Sequence, residues 1–194
     1  MYQAMSKIPI IVCCDSLKEQ SRISAILTQD FDAILGCQLA QFDALITQHP
    51  NSFVVVGWRQ PCAELTLLIE RCREKKLPLL VIVQSLSSMD INRLPKKMDY
   101  VLLPSDSGCS LAPWALHAAS VRQSMLDMEQ EMAELASKLE ERKWIEKAKG
   151  LLMKHHGVDE SAAYKAMRQS AMQSSQSMAQ VAKNVLITLE TLKG

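Results

Sequence analysis

Five short apolar runs, none interrupted by a charge and each followed by a stretch of helical periodicity, constrain the first half of this chain more than any other feature. They fall at residues 8–13 (IPIIVC), 33–37 (AILGC), 52–57 (SFVVVG), 78–84 (PLLVIVQ) and 100–103 (YVLL). Helical patterns occupy 16–28, 40–48, 63–75, 88–94 and the chain from Ser110 onward. Runs that are apolar on both faces, alternating with amphipathic helices, form a parallel sheet covered on both sides. Five such units in about 110 residues predict a small doubly wound α/β domain, flavodoxin-like, with strand order 2-1-3-4-5.

After this domain the periodicity changes. From Leu111 a heptad stripe runs through Trp114, Ala118, Val121, Met125, Met128, Met132, Leu135 and Leu139 to Arg142. Its alternating steps of three and four keep one stripe on one side of a helix for about 48 Å at 1.5 Å per residue. Pro113 suits a first helical turn. The later turns are flanked by Asp127, Glu129, Gln130, Glu131 and Glu134, which leaves the stripe nothing to bury but a partner helix. The stripe therefore predicts a coiled-coil homodimer whose helix continues directly from the last helix of the α/β domain. Its charges do not encode parallel or antiparallel pairing.

Beyond Arg142, three apolar-periodic segments are separated by two short polar joints, HHGVDES and QSSQS, giving an all-α three-helix unit. Gly157 reads as a helix C-cap and Asp159 as the next N-cap. With Ile145, Ala148 and Leu152 on the buried face of the first helix, Lys143, Lys147, Gly150 and Lys154 lie opposite; Arg142 and Lys149 flank the apolar face, with Arg168 on the second helix. Ala163, Tyr164, Met167 and Ala171 repeat at helical spacing and are expected in the core, the alternative for Tyr164 being to stack on a base. His155 and His156 point to different sides of a helix and form no metal pair. The domains expected are 1–110, 111–141 and 142–194.

Charge follows the same division. The net +1 of the chain conceals ten Lys and Arg against six Asp and Glu from residue 138 onward, and twelve against fifteen before it. A basic C-terminal unit suits a polyanion, and the neutral-to-acidic remainder suits a control domain.

The set Arg142, Ile145, Ala148-Lys149-Gly150, Leu152-Met153, Gly157, Ala162-Ala163-Tyr164, Met167-Arg168 and Val181-Ala182, spread over about 55 residues, resembles the ANTAR domain of AmiR and NasT type regulators. The resemblance implies an RNA-binding antiterminator that grips paired hairpin loops in leader transcripts. Arg142, Lys143, Lys147, Lys149, Gly150, Lys154 and Arg168 are then the RNA-binding candidates. Where that family has an Asn before its third helix, this chain has Ser175.

The five-unit pattern upstream resembles the receiver domain of response regulators over about residues 7–120. That resemblance implies an acidic pair after strand 1 for magnesium, an Asp after strand 3 for the phosphoryl group, a hydroxyl after strand 4 and a Lys before Pro in strand 5. Here Cys14-Asp15 keeps one carboxylate, and no Asp or Glu occurs between Asp43 and Glu64. Ser85 follows strand 4, and Leu103 stands in the lysine's place before Pro104. Magnesium requires several hard oxygen ligands, so the pocket of Asp15, Gly57, Trp58, Ser85 and Leu103 is expected to be a degenerate phosphorylation site holding no metal. Trp58 either fills the volume vacated there or lines, with Arg59, Asp15 and Ser85, a contact for a small ligand or a sensor protein.

Six cysteines at irregular spacings read as small buried apolar residues. No signal core and no membrane-length apolar run is present, so a cytoplasmic location is expected. No nucleophile–base spacing, phosphate loop or metal cluster points to an enzyme, and no cofactor is expected. The alternative is a protein-interaction or DNA-binding signalling protein. For DNA the last helix would have to read the major groove, yet Gln180, Lys183, Asn184 and Lys193 are few donors for that task.

Overall fold

The computed structural model describes residues 8–87, 90–105 and 110–191. The chain divides between Met128 and Glu129 into two compact units.

The first unit is the doubly wound domain. Its strands are β1 (Ile10–Cys14), β2 (Ile34–Cys37), β3 (Phe53–Trp58), β4 (Leu79–Val83) and β5 (Val101–Pro104), all parallel in the order β2-β1-β3-β4-β5. Three helices alternate with them: α1 (Leu17–Leu27), α2 (Leu39–Gln48) and α3 (Ala63–Glu74). Because successive side chains on a strand point to opposite faces, each run feeds two cores. Ile11, Cys13, Val54, Val56, Leu79 and Val81 face Phe42 and Ile46 of α2 and Leu65, Leu68 and Ile69 of α3. Ile10, Val12, Val55, Leu80, Ile82 and Leu103 face Ile23 and Leu27 of α1 and the start of the next helix.

The helix expected over 88–94 is not formed as such. Residues 88 and 89 lie outside the described residues, and the remainder of that stretch holds a single 3₁₀ turn, Ile91–Arg93. Pro95 disfavours helical backbone at Leu94, and Asp90 turns back to accept hydrogen bonds from the Ser87 amide and hydroxyl at 3.0 and 2.6 Å.

A 45-residue helix, α4 (Ala112–His156), runs on from this domain without interruption, as the heptad predicts. Its first turns bury Leu111, Ala112, Ala115, Ala118 and Arg122, not the whole expected stripe; Trp114 is 36% exposed. A straight helix drifts by about 20° per heptad relative to a 3.5-residue repeat, so the face that meets the sheet and the heptad stripe part company. Arg122 is itself buried and bonded to Asp99, whose carboxylate also receives Arg73.

In the second unit, α4 ends at Gly157 in the left-handed conformation (φ +65°) and Asp159 caps α5 (Glu160–Ser174), accepting from the Ala162 amide at 2.7 Å. Ser175 closes α5 at φ +53°, also left-handed, before α6 (Met178–Thr191). Ala148 of α4, Met167 and Ala171 of α5 and Val181, Ala182 and Leu186 of α6 form the core. Tyr164 does not join it and stays 46% exposed, a departure from the sequence expectation: it lies one residue, about 100° of helix, past buried Ala163.

Among the described cysteines, 13, 14, 37 and 72 are buried and Cys62 is half-buried, all as free thiols; Cys109 lies outside the described residues.

Candidate functional site

The sheet's C-terminal edge is where a receiver does its chemistry. In register with Cys14 at the end of β1 stands Gly57 of β3. A Cβ at Gly57 would lie 2.7 Å from Ile23 Cδ1, 2.9 Å from Cys14 Sγ and 3.2 Å from Glu19 Cγ. The room an acceptor side chain would need is thus filled by Ile23 and Glu19 of α1 and by Cys14 of β1. Glu19, 5% exposed, receives Arg22 Nε at 2.9 Å, Arg22 Nη2 at 2.6 Å and the Ser105 hydroxyl at 3.0 Å. The Arg22 hydrogen bonds hold its carboxyl below the usual carboxylate range against burial, which acts the other way. Sequence reading missed this trio. Its one local signal is the i, i+3 spacing of Glu19 and Arg22; Ser105 is 83 residues beyond Arg22.

Of the sequence-expected pocket residues, Asp15 and Trp58 are brought to one cleft beside Gly57, while Ser85 and Leu103 do not line it. Asp15 Oδ2 accepts the Arg59 amide at 2.8 Å. Burial pushes the Cys14 thiol up to about 12, so it stays protonated and is a poor metal ligand. Asp15 and the buried Trp58 line a shallow cleft of about 310 Å³ with Leu17, Gln38 and Leu39. Ser85 is exposed, held by its amide to the Arg59 carbonyl at 3.0 Å, and Leu103 is buried beneath the α1 face. No group of three or more metal-binding side chains occurs among the described residues.

Filling Gly57 tests this packing. Gly57→Ala is expected to lower unfolding stability by about 1–3 kcal/mol, the usual range for overpacking a close-packed core, read as a drop in the urea midpoint. A variant as stable as the parent would mean that Ile23 and Glu19 yield freely. A small phosphodonor with magnesium is expected to leave the parent's intact mass unchanged.

The second unit carries the basic candidates. Arg142, Lys143, Lys147, Gly150, Lys154 and Arg168 are exposed, and an added Cβ at Gly150 meets nothing within 4 Å. Lys143 reaches Glu140 at 2.7 Å, with both side chains in solvent. Lys149 is different: only 8% exposed, it bridges Glu146 at 2.8 Å and Glu160 at 2.7 Å. The Glu146 and then Glu160 hydrogen bonds raise its ammonium above the ordinary lysine range. That geometry makes Lys149, which flanks the apolar face as expected, a tie between α4 and α5. Lys183 lies 3.7 Å from the Trp144 ring centroid, a cation–π contact within the unit. On the last helix Gln180 donates to Asn184, which in turn donates to Gln176.

Residues 133–186 match the ANTAR domain family model. Over 148 residues the chain is 30% identical to the transcriptional regulatory protein PdtaR of Mycobacterium tuberculosis, covering 75% of this chain and 72% of that protein. Over 188 residues it is 41% identical to the nitrate regulatory protein of Klebsiella oxytoca, covering 93% of this chain and 46% of that protein. Both relatives carry the names of regulators, not of enzymes, and no described helix is long and apolar enough to cross a membrane. A five-stranded parallel sheet in receiver order, a long helix and a C-terminal unit matching that family model lead to one conclusion: this chain belongs to the ANTAR-domain response regulators.

Proposed function

We propose that the chain is an RNA-binding transcription antiterminator in which the C-terminal unit grips hairpins of a leader transcript. The observation that carries this reading is the outward row of Lys143, Lys147 and Lys154 on α4, with exposed Arg142 flanking it and Arg168 on α5, in the unit that matches the ANTAR model. Phosphates attract such a row without regard to sequence, while register and loop geometry add selectivity. The side-chain-free surface at Gly150 lets a nucleic-acid backbone approach α4 closely. The polar groups that a DNA recognition helix would use, Lys183, Gln180 and Asn184, are engaged inside their own unit, which weighs against major-groove reading.

Dimerisation and control belong to the same reading. Met128, Met132, Leu135 and Leu139 repeat at heptad spacing and are 48%, 70%, 58% and 55% exposed in the single chain. That row is the seam of a homodimer, and two RNA-binding units per dimer match a target of two hairpins. Control passes through a sensor protein or small ligand at the receiver unit, since Ile23, Cys14 and Glu19 occupy the space beside Gly57 that an acceptor side chain would use.

The test is filter binding of a two-hairpin leader RNA during a salt titration. Retention at low salt is expected, with log affinity falling against log salt at a slope of about −3 to −4 for four or five phosphate contacts. A chain that retains no RNA at low ionic strength is not an RNA-binding regulator.

A further inference from the structure

Tyr164 is the one large aromatic side chain of α5, and the fold leaves it unburied. The inner face of the helix is buried Ala163, with Met167 and Ala171 packed against α4 and α6. One turn beyond Tyr164 stands exposed Arg168, beside it exposed Lys165, and a turn beyond Arg168 stands Met172, 74% exposed. A ring half in water, with a guanidinium one turn away on the same side, is unusual for a residue whose apolar area would favour the core.

Lys165 and Arg168 are the cations of the helix, and Glu160 is the only carboxylate between residues 160 and 174. Glu160 stands one turn before Tyr164, tied to Lys149 at 2.7 Å but 67% exposed, and Lys149 is shared with Glu146. An aromatic face with its cations on the side away from Glu160 suits an unpaired nucleotide whose phosphate lies toward Arg168. The ring stacks on a base, and Arg168 meets the adjoining phosphate. An acidic protein segment would need the charges but not the ring.

We infer that Tyr164 is the platform on which an unpaired hairpin-loop base stacks, with Arg168 as its phosphate contact. This rests on the RNA-binding reading above and adds to it a residue that distinguishes loop from stem, which the lysine row of α4 cannot do.

The experiment uses the full chain and a leader hairpin carrying 2-aminopurine at successive loop positions. The parent and Tyr164→Phe are expected to quench the same loop position and to bind with equal affinity. Tyr164→Ala and Tyr164→Leu are expected to lose the quench and to bind roughly tenfold more weakly, within the range for loss of one base–aromatic stack. The salt slope should not change, because no phosphate contact is lost. Since the ring is exposed, the thermal midpoints of the variants should lie close to the parent's. Should Tyr164→Ala keep both the quench and the affinity, the platform is wrong while RNA binding stands. Should Tyr164→Phe fail together with Tyr164→Ala, the hydroxyl and not the ring matters, and the inference is again overturned. A parent that binds no RNA at low salt overturns the underlying reading instead.

Discussion

Asp99→Ala is expected to remove about 3–5 kcal/mol from the stability of the receiver unit, the cost of leaving buried charges without their partner. Asp99 is fully buried. Arg73 donates to its carboxylate through Nε at 2.7 Å and Nη2 at 2.8 Å, and Arg122 of α4 donates through Nη1 at 3.1 Å. Arg122 also donates to the Leu77 carbonyl at 3.0 Å, so one guanidinium pins the third turn of α4 beneath the sheet. Without the carboxylate, two guanidinium groups face each other with only backbone carbonyls to receive them. Burial alone would raise the Asp99 carboxyl; the Arg73 hydrogen bonds and the charges of Arg122 and Arg73 outweigh it and leave it below the usual range. A depressed carboxyl fixes the sign of the linkage: this stabilisation is complete above the unfolded carboxylate value near pH 4 and is lost as pH falls through the lower folded value. Urea unfolding should give a lower midpoint at an unchanged m-value. The variant should also lose the parent's extra acid sensitivity below about pH 4. A midpoint unmoved by the substitution would mean that the triad contributes register and not stability.

The fold was legible because its signals are local. Each apolar run announces a strand, and the amphipathic stretches announce the helices between them, except over 88–94, where a 3₁₀ turn stands. The heptad from Leu111 likewise forecast a continuous helix, although it hid the drift that turns Trp114 outward and Ala115 inward. Contacts closed by topology left no such trace in the sequence. Glu19 and Ser105 are 86 residues apart and meet only at the sheet's C-terminal edge, and Asp99 meets Arg73 and Arg122 only because α3, the approach to β5 and α4 converge. Tyr164 was misplaced for a different reason. It sits about 100° from a core position, where periodicity leaves a side chain free to fall either way. Lys149 lies where expected, at the flank of the apolar face, but its tie to Glu160 spans the break at Gly157 and so is closed by the packing of α5 on α4.

The structure's separation of Lys149 from the other basic residues permits the sharpest test of the interface. Lys154→Glu combined with Arg168→Glu is expected to weaken binding of the leader RNA about a hundredfold near 0.1 M salt. A phosphate contact with a slope of about 0.7 contributes about fivefold at that salt, two contribute about twenty-five-fold, and reversed charge adds repulsion. The slope should shrink by about one for each site changed. Both side chains are exposed, so the unit should keep its helicity and thermal midpoint. Lys149→Gln should behave in the opposite way. Its ammonium is enclosed by Glu146 and Glu160, so the thermal midpoint should drop while the salt slope of whatever remains folded stays that of the parent. Nucleic-acid binding and helix packing thus make different demands on Lys149 and Lys154, barely more than one turn apart on one helix. If both variants lost affinity in proportion to lost stability, the basic row would be a feature of the fold and the RNA would have to bind elsewhere.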